Sequence, residues 1–375
     1  MKRIHPFGQR ITLAFTLTCF ALLISQPELL AQESRESKPK SNTNHQRTDY
    51  VSDASYWVAS FNPKFDANEP KDMVESAQAF LKTLSDDEKK VVVHKLNSPE
   101  RRLWTNLPAD PDGGGMRLAV MNEKQVKAAC QMFACMLSRQ GYHKVIHIML
   151  AEDQLLKNGR PRRGFGTENF ALVVFGTPDE EKPWGIQIDG HHVGMNISVE
   201  GDKNTISPSF IGTQPHSFQI GGESFRPFAR ETGNAYDLLN SLTDDQTKAA
   251  VLANQRNDLV TGPGTDGQVP DPEGMMCSEL NGDQRKLLLS LIEQWINDLP
   301  AAQAEARMKE LESEIDKMRF SWRGQTKAKS DISYRIQGPS LIIEYACQNL
   351  GGNPLDHLHS MYRNPQNEYG GQLKK

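Results

Sequence analysis

The apolar residues of this chain switch from helical spacing to strict alternation twice, and no other feature restricts the fold as strongly. From about Glu69 the spacing is helical, with Met73, Ala77, Phe80, Leu81 and Leu84 on one stripe. Ser85-Asp-Asp-Glu88 is a capping box that opens a helix carrying Val91, Val92 and Leu96. A further helix is expected over Gln125–Gln140, stopped by Gly141, and another from Tyr142 to about Lys157. The period then becomes two. Asn169–Phe175, Trp184–Ile188, Val193–Val199 and Thr205–Phe210 read as four strands, joined by the short links GTPDEEKP, DGHH and EGDKN. This is the pattern of an antiparallel meander. Helices return from Ala235 to Lys317, and period two reappears in Arg319–Arg323 and Ile332–Tyr345, broken at Gly338-Pro339. Strands on both sides of a helical block predict an α+β domain. Its antiparallel central sheet takes about residues 169–210 and the late strands 319–345, packed with helices from the N-terminal and middle segments.

Three segments share a cap followed by an apolar run: LSDDEKKVVVH (84–94), LTDDQTKAAVLA (242–253) and NGDQRKLLLSLIEQW (281–295). They fit a loosely repeated helical scaffold or local convergence on one capping box. Met132, Met136 and Met149 sit on helical stripes and read as core, not as a copper-binding methionine box.

The N-terminus differs from the rest. Lys2, Arg3 and Arg10 precede an apolar run from Ile11 to Ile24, and Ala31 closes LLA before a polar stretch. That is the build of a secretory signal peptide over residues 1–31, with cleavage after Ala31. Residues 32–54 follow as a flexible leader, and 55–371 as one folded domain. The apolar run is short for a membrane span, so no stable span is expected after cleavage. A net charge of −4 without a basic cluster leaves no footprint for nucleic acid. Beyond the leader lie Cys130, Cys135, Cys277 and Cys347. No metal-finger or CxxC spacing occurs, and both disulfides and buried thiols remain open.

Chemistry concentrates in two places. PWGIQIDGHHVGMNISVEGDKNTISPSFIGTQPH (183–216) holds His191 and His192, and DHLHSMYRNPQNEYG (356–370) holds His357 and His359. In an extended chain His357 and His359 share one face roughly 6–7 Å apart, which suits two ligands on one ion. His191 and His192 would point apart on a strand, so one ligates and the other supports. The expected metal ligands are His192, His357 and His359, with an open position for water. The expected catalytic groups are His191, Glu344 and Arg335, and the substrate contacts Trp184, Arg363 and Tyr334. Asp189, His216, Asp356 and Glu368 are further acceptors near the motifs. No GxSxG, GxxxxGK[ST], HExxH or dinucleotide fingerprint is present.

The stretches W-G-x-Q-x-D-G-H-H, P-S-F-x-G-x-x-P, Y-R-I-Q-G-P-x-L-x-I-E-Y and H-x-H-x-x-Y-R-N-P-x-N-E-Y-G resemble the family called domain of unknown function 3500, over about residues 55–371. The resemblance implies one fold and a shared site, and names no reaction. The expectation is a secreted or periplasmic, metal-dependent hydrolase-like enzyme acting on a small molecule or polymer outside the cytoplasm. Zinc is the first candidate ion, then iron, manganese or copper. The alternative is a non-catalytic extracellular ligand-binding module with structural histidines.

Overall fold

The computed structural model describes residues 56–65, 69–108, 114–158, 164–254, 258–350 and 352–372. The expected signal peptide and leader, and most of the DPDGGG and RPRRGFG loops, lie outside them.

The first half of the domain runs α1 (Pro70–Lys82), α2 (Asp86–Val92), β1 (Val93–His94), β2 (Met116–Arg117), α3 (Glu123–Met136) and α4 (Arg139–Asn158). The meander follows as β3 (Ala171–Phe175), β4 (Trp184–Gly190), β5 (Val193–Glu200), β6 (Lys203–Thr205) and β7 (Ser209–Thr213). A small hairpin, β8 (Phe218–Ile220) with β9 (Glu223–Phe225), leads into the second half. That half runs α5 (Ala229–Ser241), α6 (Asp244–Ala250), β10 (Val251–Leu252), β11 (Met275–Met276), α7 (Gly282–Ile296) and α8 (Ala301–Glu314). It closes with β12 (Arg319–Gly324), β13 (Ile332–Gln337), β14 (Ile342–Cys347) and β15 (Leu358–Arg363). The result is the α+β arrangement read from the sequence, and the late strands do join the central sheet.

The strand order is β1-β3-β4-β5-β7-β15-β14-β13-β12-β10, which reads the same from either edge once the halves are matched. The matching holds at the level of register. β1 lies parallel to β3 with Val93 beside Val174, as β10 lies parallel to β12 with Val251 beside Trp322. β2 pairs antiparallel with β3 through Met116 and Leu172, as β11 pairs with β12 through Met275 and Phe320. The caps match too. The Gln125 amide donates to Glu88 (3.2 Å) across the Asn122 and Ser85 capping boxes, and the Gln284 amide donates to Gln246 (2.8 Å) across the Asn281 and Thr243 boxes. The repeated caps are therefore the visible trace of a pseudo-two-fold that passes through the β7–β15 pair and relates two whole halves, sheet included.

Alternation gives this sheet two different faces. Ile186, Ile188, Met195, Ile197, Ile343 and Tyr345 face the helices in the main apolar core. Each such fully buried side chain contributes about 1.5–3 kcal/mol. Gln187, Asn196, Ser198, Arg335, Glu344 and His359 occupy the other face, also buried. Buried polar groups need partners, and long loops supply them. The Arg101 carbonyl accepts from Gln187 (2.9 Å), and the Asp271 and Pro270 carbonyls accept from Arg335 (3.0 Å) and Gln337 (2.6 Å).

Gly141 does not stop a helix as expected. The break falls at Leu137–Ser138, where the Ser138 hydroxyl accepts from the Gly141 N–H at 3.1 Å, and α4 runs on through Gly141. A Cβ there would meet the Asp298 carbonyl oxygen at 2.5 Å, so the glycine serves close approach of the two halves. Nearby, Lys144 on α4 lies between Glu231 (3.0 Å) and Asp298 (2.9 Å), all buried. Cys130, Cys135, Cys277 and Cys347 are buried and form no disulfide with one another, and burial pushes Cys130 and Cys347 up to about 11 and Cys277 to about 12. Met132, Met136 and Met149 are core. Among the described residues no helix is long and apolar enough to cross a membrane.

Candidate metal centre

The β4–β5 hairpin pairs Gly190 with Val193, so His191 and His192 form its two-residue turn. His192 takes φ +67°, a left-handed conformation that costs a non-glycine residue about 1–3 kcal/mol. Neighbouring contacts fix it there: its N–H donates to the Asn106 carbonyl (3.4 Å), and its carbonyl accepts from Gly212 N–H (2.7 Å). The expectation that the two histidines point apart fails for this reason, because they lie in a turn and not on a strand. Their rings stack, 3.7 Å between centroids, and both Nδ1 atoms reach the Glu152 carboxylate, His191 at 2.7 Å and His192 at 2.6 Å.

His359 lies on β15 opposite Gly212 of β7, and His357 precedes the strand on the same face. The two-residue spacing brings their rings together as expected. Across the β7–β15 seam they meet His192. Its Nε2 is 2.9 Å from His357 Nε2, which in turn is 3.0 Å from His359 Nε2. With metal–nitrogen bonds of about 2.0–2.1 Å, nitrogens so spaced subtend roughly 90° at a shared ion.

The outer nitrogens decide what the inner ones present. His357 Nδ1 faces the Leu350 carbonyl at 2.6 Å and must carry a proton to bond it. His192 Nδ1 faces Glu152, and His359 Nδ1 faces Asp258 at 2.9 Å. With each proton on Nδ1, three Nε2 lone pairs converge on one point. Burial holds His192 well below its ordinary pKa, aided by the neighbouring histidines, and burial and His359 together pull His357 down to about 4. Burial alone would raise Asp258, but the His359 hydrogen bond holds it below the usual carboxylate range. Burial raises Glu152, against the pull of His191. Two carboxylates, Glu152 and Asp258, therefore stand behind the imidazoles of His192 and His359, an outer arrangement typical of histidines that ligate a metal. The described residues include two groups able to hold an ion, His192–His357–His359 and Glu152–His191–His192, and all five side chains are buried.

Gly212 is the residue that permits this convergence. A Cβ there would lie 2.8 Å from His192 Cδ2, 3.0 Å from His359 Cδ2 and 3.0 Å from the Leu358 carbonyl. Gly212→Ala is expected to push the rings apart, cost about 1–3 kcal/mol by overpacking and weaken metal binding. Thermal denaturation and metal titration on the same preparation check this; unchanged affinity would mean the rings need not meet.

Glu152 and Asp258 are absent from the expected set. Glu152 did leave a signal, since Val145, Ile148, Met149 and Glu152 form one helical stripe and the acid is as buried as its apolar neighbours. Asp258 left none, being one acid in a long polar loop.

The other expected residues are not gathered at the triad. Glu344 accepts from the Val260 (3.0 Å) and Thr261 (2.9 Å) N–H groups and the Thr261 hydroxyl (2.6 Å), so it anchors the loop that carries Asp258. Arg335 bonds Glu273 and lies 3.7 Å from Glu344. Tyr334 faces the helices, stacked on Trp322 and Tyr345, with its hydroxyl on the Glu231 carbonyl. Trp184 is fully buried at the far end of β4, and Arg363 pairs with Glu368 four residues beyond His359. His216 pairs with Asp356, the residue before His357, at 2.8 Å. The Asp189 carboxylate accepts from the Thr105 N–H at 3.0 Å, beside the turn.

A search against curated proteins found no match, nor does any solved structure match the chain. A family model described as Protein of unknown function (DUF3500) matches residues 66–371. That span takes in both histidine motifs and both halves of the sheet, and the chain belongs to the DUF3500 family.

Proposed function

We propose that His192, His357 and His359 hold one divalent metal ion, zinc before iron, manganese or copper, in a metal-dependent hydrolase-like enzyme that works outside the cytoplasm. The carrying observation is the convergence of three Nε2 atoms while every Nδ1 faces a fixed acceptor. Lone pairs so placed repel one another unless a cation lies between them. An ion held by these three histidines would keep a position for water and would supply the Lewis acidity that lowers the pKa of such a water toward about 7. His191 then has a role distinct from its neighbour. With Nδ1 held by Glu152, its Nε2 is left to take the proton of an attacking water and return it to the leaving group. Glu152 steadies the imidazolium in between and orients His192 with its other oxygen.

The test is elemental analysis of untagged protein from its own compartment, expected to give about one equivalent of metal. A persistent absence after metals are added back would sink the reading. The mature N-terminus is expected near Gln32, and mass spectrometry finding Met1 retained would overturn the export proposal. A second reading, a binding module with structural histidines, draws support from the depth of His192, which is 0 % exposed. It predicts a metal that no added hydrolysable substrate or chelator can reach without unfolding.

A further inference from the structure

A cleft of about 770 Å³ opens at the other end of β4, lined among others by Asn97, Ser98, Arg101, Arg102, Ser198 and Tyr369. Arg101 is the unusual member. It is only 7 % exposed, yet no carboxylate of the described residues pairs with it. Its guanidinium donates to the Ser198 hydroxyl at 2.6 Å and reaches the Leu96 carbonyl at 3.4 Å, both neutral acceptors. Burying a guanidinium without an anion is costly, and burial here pulls its pKa down to about 10.

The surroundings are built to keep it there. Gly185 leaves the room it occupies, since a Cβ at that position would lie 2.8 Å from Arg101 Nη2. Arg102 brings a second positive charge. The guanidinium carbons of Arg101 and Arg102 lie 5.9 and 5.8 Å from the centre of the Tyr369 ring. That ring is fixed from behind, its hydroxyl accepting from Trp104 Nε1–H at 2.9 Å and donating to Asp266, with Tyr369 itself at φ +53°. The one acid in the lining, Glu368, is taken by Arg363 and the Gly267 N–H. Two guanidiniums on one aromatic ring, with no acid of their own among the described residues, suit an oxyanion: a planar guanidinium fork matches the two oxygens of a carboxylate or phosphate.

We propose that this cleft binds the oxyanion of a small ligand, a carboxylate or a phosphate ester, as a site separate from the histidine triad. Six residues of β4 separate the two, about 20 Å of extended chain.

Titration calorimetry of the mature protein with malonate and with inorganic phosphate tests the proposal and tells the two chemistries apart. Saturable binding of at least one probe is expected. Arg102→Ala should weaken it at least tenfold, and Arg101→Lys, which keeps the charge but loses the fork, should weaken it similarly. Lys182→Ala, an exposed charge nearby, should leave it unchanged, as should His359→Ala, which separates this site from a bound metal. If Arg101→Lys fails to fold by circular dichroism, Arg102→Ala decides. No saturable binding of either probe overturns the proposal, and so does equal weakening in Arg102→Ala and Lys182→Ala, or binding lost with His359.

Discussion

His359→Ala is expected to lose its metal and keep its fold. The imidazole supplies one of three converging nitrogens, and Asp258 orients it from behind. Loss of an outer partner alone costs about 10–100-fold in metal affinity. Asp258→Asn should fall in that range, and loss of the ligand should exceed it. His192→Gly sharpens the experiment, because glycine removes the ring and also relieves the left-handed backbone at φ +67°. That variant should bind no metal, the relieved backbone offsetting part of the cost of the cavity and of the Glu152 oxygen left without its partner. Metal stoichiometry by mass spectrometry and far-UV circular dichroism read both effects. Retained stoichiometric metal in either variant would dismiss the triad as a ligand set, and collapse of both folds would make the histidines structural.

The largest effect on stability is expected at Lys144, away from the site. Lys144→Met should destabilise the domain by about 3–5 kcal/mol, because Glu231 and Asp298 would lose the cation they share in a dry interior. The pH dependence has a definite sign. In the wild type the two acids hold the Lys144 pKa above its ordinary 10.5 despite the opposing effect of burial. Its contribution is therefore complete below that value and is lost as pH rises through the raised pKa. In the variant the deficit should be greatest near neutral pH and shrink in acid, as the stranded Asp298 carboxylate takes up a proton. Burial already raises the Asp298 pKa in the wild type. Denaturant melts at several pH values check this. A deficit independent of pH would show that Lys144 acts through packing alone.

The alternation of apolar residues locates β3 to β5 and β12 to β14, but the expected strand Thr205–Phe210 breaks at 206–208 between β6 and β7, and the polar HxH stretch hides β15. β12 to β14 fall where the period-two runs do, and the Gly338-Pro339 break separates β13 from β14. The two-residue spacing of His357 and His359 likewise told that they share a face. What the spacing could not tell was partnership. NGDQRKLLLSLIEQW matches the two DD-containing segments by eye, yet its structural counterpart is Asn122–Met136, with which its opening shares little beyond the capping Asn and Gln. Caps are conditions on backbone geometry, and many sequences meet them. The spacing does place His192 with His357 and His359; what it does not show is that His191 stacks on His192, because the direction rules of a strand do not hold in a turn. Glu152 was passed over because a single acid on a helix stripe looks like surface until the face it sits on is known to be buried.

The palindromic strand order has an evolutionary consequence. Two identical half-chains paired along their last strands would build the same sheet, and any change to one hairpin would then occur in both. Joined in one polypeptide, each copy drifts alone. The hairpin turn that holds His191 and His192 corresponds through the register to Pro339 and Ser340, where Arg307 and Glu314 of α8 meet Ser340 as Glu152 of α4 meets the histidines. One turn thus carries the histidines of the candidate centre, and the other is a brace. A symmetric scaffold thus carries an asymmetric centre, and a first half expressed alone would hold the turn without the second pair of histidines.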